Sequence, residues 1–563
     1  MTSDTAPATI RTTPPAPVWS IDPRTGERRA RVAAEATPAD VDRAVRAAAN
    51  ACAALADLPR RAALLRAAAD GLERAAGEVV AAADAETALG TPRLAGELAR
   101  TTYQLREFAA IVEEGAFLDV VIDHADPTLG RPDLRRSNTA LGVVAVFAAG
   151  NFPLAFSVPG GDTASALAAG CPVVLKAHPD HPATSELCAR LLRAAAASVD
   201  LPEDVLGLVH GLDAGLALVR HPLTAAVGFT GSVRGGRALH DIAAARPRPI
   251  PFHGELGSLN PVVVTPAAAA TRAREIGAGL AASFTLGNGQ FCVKPGLVLV
   301  PAAGPGRQDT APEPADGAGV DGAGVEGAGL GSAGLDSAGS GGALERAVVE
   351  AAAQAPAAAL LDGRMRAAFL TGVRDRAALP GVEELLAAGE APDPTAPLAV
   401  RPGVLAVPAA LLGRQGPHAL LLEECFGPVT VLARYRDQDE LEAVLAGLEG
   451  NLTATVHLAA DERGAGATAL LRRLVPLAGR IVVDGWPTGV TVAPAMHHGG
   501  PYPAATSNAT SVGAGAIERW LRPVSYQDVP QELLPPELLD RNPSGVPRRV
   551  DGRSQGRPAP AAG

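Results

Sequence analysis

An α/β fold built from two doubly wound parallel-sheet domains is predicted by three observations. From Leu141 the chain alternates short, continuously apolar runs with amphipathic segments, the same grammar restarts at Pro261, and the stretch before Leu141 has helical periodicity. Continuous apolar strands separated by helices indicate a sheet covered on both faces, the parallel arrangement.

Taken in order, residues 38–116 place apolar side chains three and four apart, as in Val41-Val45-Ala48, Leu58 to Leu72 and Leu94 to Ala109. Strands are expected at 142–148, 172–176, 205–210, 225–230 and 249–253. Helices lie between them, for example 184–197, opened by Thr184 and Ser185, and 234–244. The second set of strands is expected at 261–265, 295–300, 429–432, 454–458 and 480–484. It is interrupted by a Gly/Ala/Asp-rich segment, 303–342, in which 316–340 reads as five five-residue units (DGAGV, DGAGV, EGAGL, GSAGL, DSAGS). Such a segment cannot bury enough apolar surface to offset its ordering entropy, so a flexible surface insertion is expected. The Pro/Arg/Gly-rich tail, 530–563, is expected to be mobile as well.

Composition narrows the function. The 563 residues carry 49 Lys+Arg against 60 Asp+Glu, a formal charge of −11, the opposite of a phosphate-backbone footprint. With only 11 Phe, 4 Tyr and 3 Trp, base-stacking platforms are also unexpected, so no nucleic-acid partner is predicted. Cys52, Cys171, Cys188, Cys292 and Cys425 are scattered, odd in number and without a C-x-x-C, which disfavours a disulfide framework or structural zinc. The first residues lack the basic and apolar regions of a signal peptide, so a reducing, cytoplasmic setting is expected. Residues 137–161 are uncharged and long enough to cross a bilayer. Pro153, Pro159 and Gly160-Gly161 within them suit a buried strand, turn and helix start, and no membrane partner is expected. Lys176 and Lys294 are the two lysines among 49 cationic residues, which marks both as places where arginine would not serve.

Three local patterns could carry chemistry. Cys292 closes Gly287-Asn288-Gly289-Gln290-Phe291-Cys292, where small residues let backbone amides approach a reacting atom; an exposed nucleophile and a buried inert thiol both fit. Lys294, two residues on, could favour a thiolate or point to solvent. Glu255, flanked by Gly254 and Gly257 after an apolar strand, suits a general base, though position alone favours a capping or ion-paired carboxylate. Phe229-Thr230-Gly231-Ser232, followed by Gly236, places a strand-to-helix turn where N–H groups and the helix dipole could hold a pyrophosphate; a purely structural turn is the alternative. Two other matches fail on context. Gly552-Arg553-Ser554-Gln555-Gly556 fits a serine-hydrolase string but sits in the tail, and the adjacent His497-His498 have no ligand spaced for zinc.

Together these segments resemble the aldehyde dehydrogenase superfamily. Ala149-Gly150-Asn151-Phe152-Pro153, Lys176, the Phe229–Ser232 turn, Glu255-Leu256-Gly257, Gln290-Phe291-Cys292 and Glu423-Glu424-Cys425-Phe426-Gly427-Pro428 occur in family order over about residues 20 to 530. Gly160-Gly161-Asp162-Thr163-Ala164-Ser165, Lys176-Ala177-His178-Pro179 and Met496-His497-His498-Gly499-Gly500-Pro501-Tyr502 resemble the α-ketoglutaric semialdehyde dehydrogenase branch, itself similar to the NADP-dependent long-chain aldehyde dehydrogenases.

The resemblance implies an NAD(P)-binding domain (20–117 and 141–255), a catalytic domain (256–500) and an oligomerisation flap (118–140 and 501–522), in a homodimer or homotetramer. It implies metal-free oxidation of 2,5-dioxopentanoate to 2-oxoglutarate, with aliphatic aldehydes as rival substrates. Cys292 would be the nucleophile, Glu255 the base for water, and Asn151 an oxyanion donor. Lys176 would hold the adenosine ribose with His178 and Pro179 beside it, Gly231, Ser232 and Gly236 the pyrophosphate turn, and Glu424 with Phe426 the nicotinamide ribose. Pro179 stands where NAD-preferring relatives commonly carry a glutamate that repels a 2′-phosphate, so NADP⁺ is expected to be accepted alongside NAD⁺ and to be the favoured direction. Arg100 and Gln104, spaced i, i+4, could hold a distal carboxylate, although the pattern alone favours solvation of Arg100. Val293-Lys294 departs from the branch's more usual Thr-Asn, which bears on the substrate more than on the reaction. A cysteine hydrolase or acyltransferase using Cys292, and a catalytically silent scaffold, are the readings from other classes.

Overall fold

The computed structural model describes residues 15–302, 340–391 and 395–556. A hairpin, β1 (Pro17–Ile21) and β2 (Arg28–Ala34), precedes four helices: α1 (Pro38–Ala51), α2 (Leu58–Arg74), α3 (Ala76–Thr87) and α4 (Thr91–Glu114). Thr37 opens α1 with a capping box to Asp40 and proline at the first turn, and Gly115 ends α4 at φ +76°. Two strands, β3 (Val120–Asp123) and β4 (Leu134–Ala140), lead into β5 (Val143–Phe147), α5 (Gly161–Ala169), β6 (Val173–Lys176), α6 (Pro182–Ser198), β7 (Leu206–Val209), α7 (Leu212–Arg220), β8 (Thr224–Thr230), α8 (Val233–Ala244) and β9 (Phe252–Glu255).

The five strands β5 to β9 pair in parallel in the order β7-β6-β5-β8-β9. Both faces of this sheet are buried. Val144 and Val146 of β5 enter a core with α2, α4 and α6, whereas Val143, Ala145 and Phe147 enter one with α1, α7 and α8. The chain steps outward from β5 through β6 and β7, then crosses back to β8. That reversal opens a crevice outside the carboxyl ends of β5 and β8, where ligands bind in open α/β sheets.

The second domain holds β10 (Val262–Val264), α9 (Pro266–Thr285), β11 (Leu297–Pro301), α10 (Ser340–Ala353), β12 (Ala358–Ala359), α11 (Gly363–Ala377), β13 (Glu383–Leu386), β14 (Gly389–Glu390), β15 (Ala399–Arg401), β16 (Gly403–Pro408), β17 (Val429–Tyr435), α12 (Gln438–Gly447), β18 (Asn451–His457), α13 (Ala465–Leu474) and β19 (Ala478–Val483). Its main sheet runs β13-β16-β17-β11-β10-β18-β19, parallel except at the β13 edge. Again successive residues point to opposite cores, Leu297 and Leu299 to one and Val298 and Val300 to the other. The small sheet β12-β15-β14 and strands β13 and β16 add to the expected set.

Four expectations are corrected. Helix α6 starts at Pro182, not at Thr184, because the Glu86 carboxylate of α3 accepts from the N–H groups of Ala183 and Thr184 at 2.9 and 2.8 Å. The last residues of the expected insertion belong to α10, which begins at Ser340; the rest of 303–342 lies outside the described residues. Residues 501–520 do not join the flap. Ala505 bridges to Glu255, and Trp520 is fully buried with Nε1 donating to Ser165 Oγ at 2.8 Å; the chain enters the flap sheet only as β20 (Leu521–Gln527). Nor are residues 530–556 a mobile tail. Leu538 and Val546 enter the first domain's core, Arg135 pairs with Asp540 at 2.6 Å, and β21 (Arg548–Val550) lies parallel beside β3 with β22 (Arg553–Gln555) outside it. Ser554 of the serine-hydrolase string is an exposed residue of that hairpin, and 557–563 lie outside the described residues. Among the described residues, no helix is long and apolar enough to cross a membrane.

Candidate active site

The nucleophile turn is fixed by backbone shape. Gly287, Asn288 and Gly289 lie at φ +55°, +55° and +68°, a left-handed run that glycine and asparagine tolerate. A Cβ on Gly289 would collide with the carbonyl group of Gly427. Cys292 follows, partly buried. Asn260 donates to its carbonyl at 2.8 Å and to that of Lys294 at 3.0 Å, and Asn451 in turn accepts from the backbone N–H groups of Leu259 and Asn260. Lys294 neither points to solvent nor reaches the sulfur: it is buried and donates to the Val429 carbonyl at 2.7 Å.

Asn151 sits on the loop after β5. Glu97 of α4 steadies that loop, accepting from Leu154 and Ala155 N–H at 2.9 Å each, and Arg93 donates to the Asn151 carbonyl at 2.7 Å. The Asn151 amide donates to the Gln290 carbonyl at 3.0 Å, which joins the two loops of the expected oxyanion pair.

Glu255 is the last residue of β9, which starts at Phe252 rather than at 249; Pro249 and Pro251 lack the N–H a ladder needs. Its Oε1 lies 3.0 Å from His498 Nε2, and Ser511 Oγ donates to its Oε2. Burial alone would push this carboxyl up, but His498, Ser511 and Cys292 together outweigh that and hold it below the ordinary carboxylate value. The same His498 Nε2 is 3.7 Å from Cys292 Sγ. Burial first, then the charge of Glu255, raises the thiol well above its ordinary value.

His498 and Ser511 escape sequence reasoning because both come from irregular chain more than 200 residues from Cys292 and Glu255. In space His498 does have neighbours of metal-ligand type that the spacing argument did not reveal: Glu255, Cys292 and His498 bring one donor atom each within 4.8 Å of one another.

Of the expected cofactor residues, Lys176, His178, Pro179, Gly231 and Ser232 lie at or just after the carboxyl ends of β6 and β8 in the first sheet, whereas Glu424 and Phe426 come from the chain between β16 and β17 of the second domain. Lys176 ends β6 and is largely buried, which lowers its ammonium against the opposing pull of Asp180. Pro179 is exposed, and His178 packs against Gly150, where a Cβ would meet the ring at 2.7 Å. The acidic group missing at 179 is present one residue on: Asp180 lies 3.4 Å from His178 Nδ1 and 3.9 Å from Arg364 Nη2 of α11, its carboxyl pushed up to about 7 by burial. Ser232 caps α8 by accepting from Gly235 N–H at 3.2 Å, and Gly231 N–H donates to the Glu255 carbonyl at 3.1 Å. Gly236 serves packing as well, since a Cβ there would collide with Leu256. Glu424 accepts from Ser258 N–H, and Gly257 admits it, because a Cβ at 257 would collide with Glu424 Oε2. Phe426, two residues on, is half-buried. A helix start at the sheet's switch point and a lysine at a strand end fit a pyridine dinucleotide. Arg100 and Gln104 both turn inward from α4; the expected solvation of Arg100 is corrected, its Nη1 and Nη2 being buried.

The sequence model of the aldehyde dehydrogenase family matches residues 12–303. Alpha-ketoglutaric semialdehyde dehydrogenase 2 of Azospirillum brasilense is 44% identical over 554 residues, 95% of this chain and 96% of that one. Alpha-ketoglutaric semialdehyde dehydrogenase of Acinetobacter baylyi is 39% identical over 83% of this chain and 82% of its own. Among solved structures, a mutant of aldehyde dehydrogenase C of Pseudomonas syringae in complex with NAD+ and octanal superposes with a TM-score of 0.71 at 21% identity, covering 93% of this chain and 94% of that one. The fold, the spacing of the site and these matches agree: this chain belongs to the aldehyde dehydrogenase family.

Proposed function

We propose that the protein oxidises α-ketoglutaric semialdehyde (2,5-dioxopentanoate) to 2-oxoglutarate with NADP⁺ or NAD⁺. The observation that carries this reading is the meeting of Cys292, His498 and Glu255 beside the crevice of a chain 44% identical to an enzyme named for that substrate.

The residues divide the work as follows. Cys292 loses its proton to His498, whose Nε2 lies 3.7 Å from the sulfur, and the sulfur adds to the aldehyde carbon to give a thiohemiacetal. Asn151 Nδ2 and the Cys292 N–H hold the oxyanion, one such donor being worth about 3 kcal/mol. The bound nicotinamide supplies the hydride acceptor. The thioester left on Cys292 is attacked by water, whose proton passes to Glu255 while His498 spreads the charge. Lys176, Ser232 and Glu424 hold the adenosine ribose, pyrophosphate and nicotinamide ribose, with His178, Pro179, Gly231, Gly236 and Phe426 shaping the groove. The flap strands offer the surface for a homodimer or homotetramer, and a cytoplasmic setting fits the five free thiols.

Purified protein is to be given the semialdehyde and linear aldehydes with each cofactor, following NAD(P)H absorbance. The highest kcat/KM is expected for the semialdehyde, and none in Cys292→Ala. A linear aliphatic aldehyde giving the higher kcat/KM would overturn the substrate, and ester or thioester cleavage without NAD(P)H formation would overturn the reaction class.

A further inference from the structure

We propose that Arg100 and Gln104 grip the distal 2-oxo-carboxylate of the substrate and so select anionic semialdehydes over uncharged aldehydes of the same length. The proposal rests on the reading that Cys292 attacks an aldehyde.

Arg100 and Gln104 lie one turn apart on α4, on one face. Gln104 is 1% exposed, and neither its amide nitrogen nor its amide oxygen has a partner. The Arg100 guanidinium spends one donor, Nε, on the Val490 carbonyl at 3.2 Å; Nη1 and Nη2 are buried and unpartnered. Among the described residues no carboxylate pairs with it. Its flat face rests over the Phe156 ring, 5.1 Å from the centroid, which fixes the plane of the fork.

Glu97, one turn earlier, lies near enough for its charge to act on Arg100 but makes no ion pair or hydrogen bond to it. Its Oε1 is committed to Leu154 and Ala155, its Oε2 has no hydrogen-bond partner, and burial raises its carboxyl. Arg100 lies close to the reacting groups: the Phe156 ring beneath it is 6.3 Å, centroid to centroid, from the imidazole of His498, which reaches Cys292 Sγ at 3.7 Å. Arg480 also lies close to Cys292, but both its Nη atoms are bound to the carbonyls of Pro487 and Gly489, so its charge holds the loop.

Buried donors without partners are costly and call for a ligand. Two parallel guanidinium N–H donors match a carboxylate bidentately. The amide nitrogen of Gln104, one turn away, offers two N–H donors that suit the neighbouring 2-oxo group and a carboxylate oxygen. An aldehyde ending in a methyl group would leave these donors unmet.

The test compares Arg100→Met, Arg100→Lys and Gln104→Leu with the parent on 2,5-dioxopentanoate and on pentanal, and measures the thermal shift given by 2-oxoglutarate. Arg100→Met is expected to lose about a hundredfold in kcat/KM for the semialdehyde, mostly in KM, with pentanal changed less than about threefold. Arg100→Lys is expected to lose less, Gln104→Leu about tenfold, and the 2-oxoglutarate shift to vanish in Arg100→Met. Parallel losses on both substrates, or an unchanged 2-oxoglutarate shift, would make Arg100 a support of the 490 loop and overturn the proposal. Failure of the parent protein to oxidise either aldehyde would instead strike the underlying reading.

Discussion

His498 presents one nitrogen to two partners: Nε2 is 3.0 Å from Glu255 Oε1 and 3.7 Å from Cys292 Sγ. The imidazole is held by its backbone, His498 N–H donating to Thr510 Oγ1 at 2.8 Å and its carbonyl accepting from Ser511 N–H at 2.7 Å. Replacing it by asparagine keeps a polar group but removes the proton carrier. His498→Asn is expected to lower kcat by about 10² to 10⁴ with little change in cofactor KM. Steady-state kinetics with both substrates varied checks this, and a rate within threefold of the parent would contradict it.

The charge on Glu255 acts in opposite directions on two measurements. It raises the Cys292 thiol, so its removal makes the free thiol more acidic, yet the water step needs it. Glu255→Gln is therefore expected to be alkylated faster by iodoacetamide at pH 8 without cofactor while turning over far more slowly. Equal alkylation rates would show that burial alone sets the thiol.

With Glu424 at the nicotinamide ribose, as proposed, cofactor binding is expected to depend on pH. Burial pushes its carboxyl up to about 7 against the pull of Lys294, so below that pH it is protonated and a poorer acceptor for ribose hydroxyls. Affinity for NADH is expected to rise with pH through about 7, and fluorescence titrations of Glu424→Gln to show a flat profile. In Lys294→Met the midpoint moves up.

Asp180 bears on the choice between cofactors. It is raised to about 7 by burial and by Asp362, with Arg364 and Lys176 opposing, and Glu86 nearby raising it further. Its ionised form would repel a 2′-phosphate bound beside Lys176, as proposed, so the NADP⁺/NAD⁺ affinity ratio is expected to fall as pH rises through about 7. Asp180→Asn is expected to remove that slope, as equilibrium titrations of both cofactors will show.

Gly289 has no room for a methyl group and lies at φ +68°. Gly289→Ala is expected to cost about 1–3 kcal/mol or more in stability and most of the activity. Thermal unfolding and kcat read the two effects.

What could be read from the sequence follows the range of the signals. Cys292 and Glu255 stand in glycine-flanked turns where a reacting group and a structural one both fit, and their roles, like those of Asn151 and Lys176, come from the family resemblance of the motifs around them. His498 also lies in a branch-like motif, His497-His498-Gly499-Gly500, but nothing in that motif assigns it a role, since its meaning comes from Glu255, 243 residues away. The caps supplied by Glu86 to α6 and by Glu97 to the Asn151 loop are equally invisible, because a buried glutamate on a helix reads as a solvated one. Both sheets were legible from continuous apolar runs. The strand at 548–550 was not, because Arg548-Arg549-Val550 is stabilised by the edge of β3 it lies against rather than by its own pattern.

That pairing sets an order of assembly during synthesis. Strand β3 emerges from the ribosome roughly 400 residues before β20 and β21, the partners that complete its sheet. Trp520, which plugs the first domain's core, arrives equally late. The nascent first domain must wait with an open edge and an unfilled hollow, so growing chains are expected to lean on chaperones until the final segment docks.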